Sequence, residues 1–132
     1  MLSDGYSTFY KIENGKYTYY NPSKKNKLSI DLSEKAINLN LEKSKGNLIE
    51  RDWSASLIDL GDGVLNVEYH SILQPVLNPI DGSMVQTIQK GLDLLDSGKY
   101  KSMVLGHQGQ NFCAGANLAG ILQFCDNKDW KG

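Results

Sequence analysis

Residues 78–106 read NPIDGSMVQTIQKGLDLLDSGKYKSMVLG, and their reading decides the fold class. Asn78 is a residue that caps helices, Pro79 suits a first helical position, and Asp81 falls in the first turn, where its charge complements the dipole. Ile80, Met84, Val85, Ile88, Leu92 and Leu95 then recur at helical spacing as one apolar stripe, and Gly98 supplies a left-handed stop. The YKSMVLG that follows is short, apolar and bounded by glycine, as a buried strand is. Upstream, SASLIDLGDGVLNVEYH (54–70) alternates apolar and polar residues on both sides of Gly61-Asp62-Gly63, which predicts two antiparallel strands joined by a tight turn. Strand, helix, strand is a βαβ unit with parallel strands and a right-handed crossover. The predicted class is α/β.

The rest of the chain differs in texture. STFYKIENGKYTYYN (7–21) has two aromatic and β-branched runs around Asn14-Gly15, the dipeptide that best supplies a hairpin turn. A β-hairpin is expected at about 7–20, with Tyr6, Phe9, Tyr10, Tyr17, Tyr19 and Tyr20 covering core or forming a contact face. PSKKNKLS (22–29) has no apolar period and reads as linker, and a short helix is expected to start at Ser33, with Glu34 in its first turn. Residues 1–52 hold nine Lys/Arg against seven Asp/Glu, whereas 53–132 hold five against eight. Two segments follow: 1–52, a hairpin and linker, and 53–132, an α/β portion.

Composition narrows the function classes. The 132 residues carry a formal net charge of −1, which gives no electrostatic footprint for nucleic acid. The first residues, MLSDGYSTFYK, lack a secretory signal and no stretch is long and apolar enough to span a membrane, so a cytoplasmic protein is expected. Cys113 and Cys125 have no CxxC partners, which argues against a disulfide scaffold or zinc site and leaves two buried thiols.

Attention falls on GHQGQNFCAGANLAG (106–120), at the carboxyl end of the second parallel strand, where open α/β sheets bind ligands. Glycine and alanine let a ligand approach the backbone and leave N–H groups uncovered. A helix expected at about 117–125 would aim its free N–H groups and dipole at the same edge. Neither phosphate-loop pattern fits: Gly120 is followed by Ile121 rather than Lys-Ser/Thr, and no Gly-x-Gly-x-x-Gly run occurs.

VLGHQGQNFCAGANL (104–118) resembles the crotonase family, the enoyl-CoA hydratases and isomerases. There, Asn111-Phe112-Cys113-Ala114-Gly115-Ala116-Asn117-Leu118 matches the hallmark loop, with Asn117 in place of a commoner Asp, and Asn78-Pro79 is similar to a Leu-Asn-Pro segment before the helix. The resemblance covers roughly 53–125 and implies the start of a stack of ββα units. It implies that a CoA thioester lies across the loop and that the Ala116 backbone N–H donates to the thioester carbonyl as half of an oxyanion hole. It further implies that Ala114, Gly115, Ala116, Asn117 and Leu118 contact CoA. Such donors, fixed before reaction, stabilise the charge that develops on that oxygen. A large side chain at Gly115 or Ala116 would block the approach.

The same resemblance places the two catalytic glutamates and the second oxyanion N–H further along the chain than this sequence reaches. Glu68, the lone glutamate after Trp53, matches no catalytic position and is expected to face solvent. HSILQPVLNP (70–79) lacks the Arg or Lys often used for CoA phosphates. The front segment looks like the connector of multifunctional bacterial fatty-acid oxidation enzymes, in which a 3-hydroxyacyl-CoA dehydrogenase precedes the hydratase region. On that reading 1–52 is a connector and 53–132 the N-terminal part of a crotonase-like domain. No cofactor is expected in this chain, NAD belongs to a preceding dehydrogenase domain, and the partners are acyl-CoA, the remaining domains and a second copy. Two rivals stand: a thiol enzyme with Cys113 as nucleophile and His107 as base, and a non-catalytic interaction module. His70, after a strand, is expected at the surface or strand end.

Overall fold

Asn14 and Gly15 both take positive φ, 52° and 70°, which a two-residue type I′ hairpin turn requires. They join β1 (Tyr10–Glu13) to β2 (Lys16–Asn21) antiparallel, with Tyr10 opposite Tyr19 and Ile12 opposite Tyr17. The structure, a computed structural model, describes residues 2–32 and 36–130 and divides into two units, 1–47 and 48–132.

In the first unit a third strand, β3 (Asn26–Ser29), pairs antiparallel with β2, correcting the expectation of a linker there. An edge strand needs backbone pairing more than apolar residues, and lysines are common on such edges, so a strand with Leu28 as its one apolar residue leaves little trace in composition. The helix expected from Ser33 starts on residues outside those described. The helix observed, α1 (Leu39–Ser44), is capped by Asn38, whose Oδ1 accepts the Leu41 N–H at 3.0 Å. Tyr20, Leu39 and Leu41 are buried, and Tyr6 lies 5.4 Å from the Tyr20 ring. Phe9 and Tyr10 pack on each other at 4.9 Å but remain exposed.

The second unit is an α/β structure on a mixed four-stranded sheet. Its strands stand in the order β4 (Leu48–Arg51), β5 (Ala55–Asp59), β6 (Val64–Tyr69), β7 (Ser102–Gly106). The first three are antiparallel to their neighbours, and β7 runs parallel to β6, connected to it through α2 (Gly82–Asp96). A last helix, α3, spans Leu118–Asp126. The antiparallel pair, the helix and the parallel strand are those the hydrophobic pattern predicts.

The core joins Ala55, Leu57, Leu65, Val67 and Tyr69 of the sheet to Met84 of α2 and to Tyr100. The two central strands are buried on both faces. Glu68, expected at the surface, is therefore buried, opposite Ser56 on one side and Gly106 on the other. On α2 the buried positions are Met84, Thr87 and Gly91, while Val85 is 55% exposed and Ile80 and Leu92 are also exposed. Of the stripe read from periodicity, Met84, Ile88 and Leu95 do pack on the core, and Ile80, ahead of the helix, Val85 and Leu92 do not, so the buried face is rotated from the stripe's centre. Met103 Sδ and Leu57 Cδ1 occupy the space beside Gly91 that a side chain would need, so the helix meets the sheet through a glycine. Thr87 sits on the same face with its hydroxyl donating to Ser83 O at 2.9 Å. A count of apolar letters overlooks both.

The cap of α2 is Asp81, not Asn78. Asp81 has extended φ and ψ, and its Oδ1 accepts the Met84 N–H at 3.0 Å. The Ser54 hydroxyl donates to its other oxygen, and the Ser54 N–H donates to Ser83 Oγ at 3.1 Å. Asp81→Ala removes the cap and one tie to the start of β5, and is expected to cost about 1 to 2 kcal/mol, read as a lower urea midpoint with an unchanged slope.

Two core tyrosines lower stability at alkaline pH. Burial pushes the Tyr100 phenol above its ordinary 10.0, helped by the hydrogen bond it donates to Asp59 Oδ2 at 3.0 Å and by that carboxylate's charge. Burial also raises Tyr69, with the nearby Cys113 adding to it. Below the ordinary value both states are protonated and nothing is gained or lost. Above it the unfolded phenols ionise first, so stability falls with rising pH until the folded phenols also ionise. Chemical denaturation is expected to become easier above about pH 10, and a Tyr100→Phe variant should show a shallower decline.

Candidate functional site

The loop between β7 and α3 is tied to the segment that precedes α2. Asn111 Nδ2 donates to Val76 O at 2.9 Å, and Ala114 N to Leu77 O at 2.8 Å. Ile80 N donates to Gly115 O at 2.8 Å, and Ile80 pairs with Ala116 in a parallel bridge. At the middle of this ladder stands Asn78, fully buried and at φ 51°. Its Nδ2 donates to Phe112 O at 2.9 Å and its Oδ1 accepts the Ser71 N–H at 2.8 Å. The residue expected to cap a helix instead ties two loops together. A signal for this existed, since asparagine accepts positive φ more readily than other non-glycine residues.

Within the loop, Gly115 takes φ 94°, a conformation that side chains rarely adopt. Its N–H donates to Cys113 Sγ at 3.2 Å. Asn117 caps α3, its Oδ1 accepting the Gly120 N–H at 3.3 Å, so asparagine performs there what an aspartate would. The Ala116 N–H donates to no acceptor among the described residues. Ala116 lies on the wall between two clefts. One, of about 300 Å³, is lined by Leu77, Pro79, Ala114, Ala116, Asn117 and Leu118. The other, of about 390 Å³, is lined by Ile80, Val85, Ala116, Gly120, Ile121 and Phe124. The five loop residues singled out by sequence thus stand together, with Gly115 shaping the turn and the other four lining the first cleft. The first-turn N–H groups of α3 add a positive dipole end at this point.

The remaining candidates part company. His107 makes no hydrogen bond with Cys113: its ring lies over Gly109, its Nδ1 is buried without a hydrogen-bond partner, and the thiol is engaged with the Gly115 backbone. The Cys113 side chain packs against the core, and Cys125, expected to be buried, is exposed on α3. His70 does stand at the end of β6, with Nε2 2.6 Å from Ser56 Oγ. Every residue of α3 lacks full burial, Leu122 at 62% exposure and Phe124 at 48% included. No group of three or more His, Cys, Asp or Glu among the described residues is placed to hold a metal ion, and no helix is long and apolar enough to cross a membrane.

Over 122 residues, 92% of its length, the chain is 42% identical to a probable 3-hydroxyacyl-CoA dehydrogenase of Bacillus subtilis (strain 168). It spans 15% of the length of that protein. At this identity the two segments are homologous. No protein-family model matches the chain, and no solved structure matches it.

Proposed function

We propose that this chain is the acyl-CoA-binding N-terminal portion of an enoyl-CoA hydratase/isomerase region, within a multifunctional enzyme of fatty-acid β-oxidation. The observation that supports the reading is that Ala116, whose N–H meets no acceptor among the described residues, lines a cleft with Ala114, Asn117 and Leu118. A thioester oxygen seated there would accept from that N–H, and the open walls of small residues would admit the CoA chain. In this reading Ala116 supplies one oxyanion donor, and Ala114, Gly115, Asn117 and Leu118 contact CoA.

The homology adds a chemical link. Adding water to an enoyl thioester yields a 3-hydroxyacyl thioester, the compound class named for the Bacillus relative. Hydration and oxidation are consecutive steps on one carbon skeleton, which is a reason to join them in one chain. Residues 1–52 then serve as connector, its last strand β4 joining the sheet beside β5, and 53–132 as the start of the crotonase-like part, with β5, β6 and α2 as its first ββα unit. NAD would belong to the dehydrogenase domain, the protein would be cytoplasmic, and α3 and the outer edge of β7 would be covered by the remaining domains or by a second copy.

The 132-residue chain is expected to bind crotonyl-CoA by titration calorimetry and not to hydrate it, because acid and base lie outside it. Turnover by this chain comparable to an intact hydratase would overturn the division of labour. The rival reading as an interaction module draws on the exposed Ile121, Leu122 and Phe124 and predicts no heat with crotonyl-CoA at all.

A further inference from the structure

We infer that Asn78 is the positioning residue of the thioester site: it holds the Phe112–Ala116 backbone so that the Ala116 N–H faces the cleft. The inference rests on the functional reading above. Asn78 touches no cleft in its own right, since neither cleft beside Ala116 includes it. What it does is join three points of the chain. One end of its amide accepts from Ser71, directly after the β6 connection, and the other donates to Phe112, thirty-four residues away.

Both halves of the amide are used, so the position demands one donor and one acceptor on a short planar group. Aspartate supplies acceptors alone and would set a negative oxygen against the Phe112 carbonyl. The backbone matters equally. The left-handed φ at 78 turns the chain between Leu77, which accepts from Ala114, and Ile80, which donates to Gly115. These two backbone bonds flank Ala116 on its N-terminal side, so losing the turn or the amide frees the segment that aims its N–H. The burial of Asn78 excludes water as a substitute partner.

The test uses the 132-residue chain and two variants, Asn78→Asp, which keeps the acceptor for Ser71, and Asn78→Gly, which keeps the positive φ and removes the side chain. Amide hydrogen exchange reports the loop and the sheet separately, and isotope-edited infrared spectroscopy of carbonyl-labelled crotonyl-CoA reports polarisation of the thioester. Free CoA, which lacks that carbonyl, is the control ligand. In both variants, exchange at residues 112–117 is expected to rise while β5 and β6 amides stay protected. Crotonyl-CoA should bind about tenfold more weakly, with its carbonyl band returned toward the free position, while free CoA, which presents no carbonyl to Ala116, loses less affinity.

A merely structural role would lower both affinities by the same factor and leave the band of the bound fraction unshifted from wild type, and that result overturns the inference. So does wild-type loop exchange in either variant that folds. A wild-type chain that binds no crotonyl-CoA overturns the functional reading instead, and is distinguished because the variants then have no binding to lose.

Discussion

Ala116→Pro, placed in a full-length enzyme that carries this segment, is expected to lower enoyl-CoA hydration by about a hundred- to a thousandfold, the range typical of one oxyanion donor. Proline has no N–H, so the substitution deletes the donor itself. The fold should tolerate it, because the Ala116 N–H satisfies no acceptor among the described residues. The preceding residue is Gly115, at φ 94°, which bears the restriction proline imposes on its neighbour better than a side-chain-bearing residue would. The loss should appear in kcat more than in KM, since the interaction strengthens as charge develops on the oxygen. Ala116→Gly keeps the N–H and should stay near wild-type rate. An Ala116→Pro enzyme with native melting temperature and native turnover would remove this residue from the site.

Leu57→Ala carries the largest expected effect on stability. Leu57 is 1% exposed, belongs to the core formed with Leu65, Val67 and Met84, and reaches the helix where Gly91 brings α2 against the sheet. Truncating it leaves a cavity that a sheet and a helix backbone cannot collapse to fill, at a cost of about 2 to 5 kcal/mol. Small domains have about 5 to 15 kcal/mol in total, so the urea midpoint should fall by a large fraction. Val85→Ala, at a position the apolar stripe predicts as core but which is 55% exposed, should change stability by less than about 0.5 kcal/mol. The reverse ranking would restore the stripe as read from spacing and refute the observed helix rotation.

These two residues mark where sequence was sufficient and where it was not. The strands around Gly61-Asp62-Gly63, the parallel β7 and α3 starting after Asn117 were legible because period and capping residues agreed. The rotation of α2 was partly hidden because Gly91 and Thr87, which a hydrophobic count scores as absent, share the contact with Met84, Ile88 and Leu95 of the stripe and with Leu94. Glu68 misled for a related reason: in a strand buried on both faces, polar letters do not mark a solvent side. β3 and β4 escaped notice since edge strands need few apolar residues.

At the candidate site the pattern was similar. The cluster from Ala114 to Leu118 could be found from its letters and its place after a strand. The partner segment that shapes it could not, because Asn78 through its side chain, and Leu77 and Ile80 through their backbones, bond to loop residues more than thirty positions away. The sequence points to Asn78 as the cap and Asp81 as a first-turn residue, and geometry instead makes Asp81 the cap and gives Asn78 to the loop. The proposed pairing of Cys113 with His107 failed on the same ground, since proximity in sequence did not bring the imidazole to the thiol.

A thioester oxygen that meets the Ala116 N–H forms a hydrogen bond that amide-resolved NMR titration of the chain with crotonyl-CoA observes directly. A downfield shift of the Ala116 amide proton that saturates with ligand, accompanied by changes at Ala114, Asn117 and Leu118 and absent with free CoA at Ala116, is the predicted result. Saturable binding that leaves Ala116 unmoved, or perturbations confined to the hairpin of residues 10–21, would contradict it.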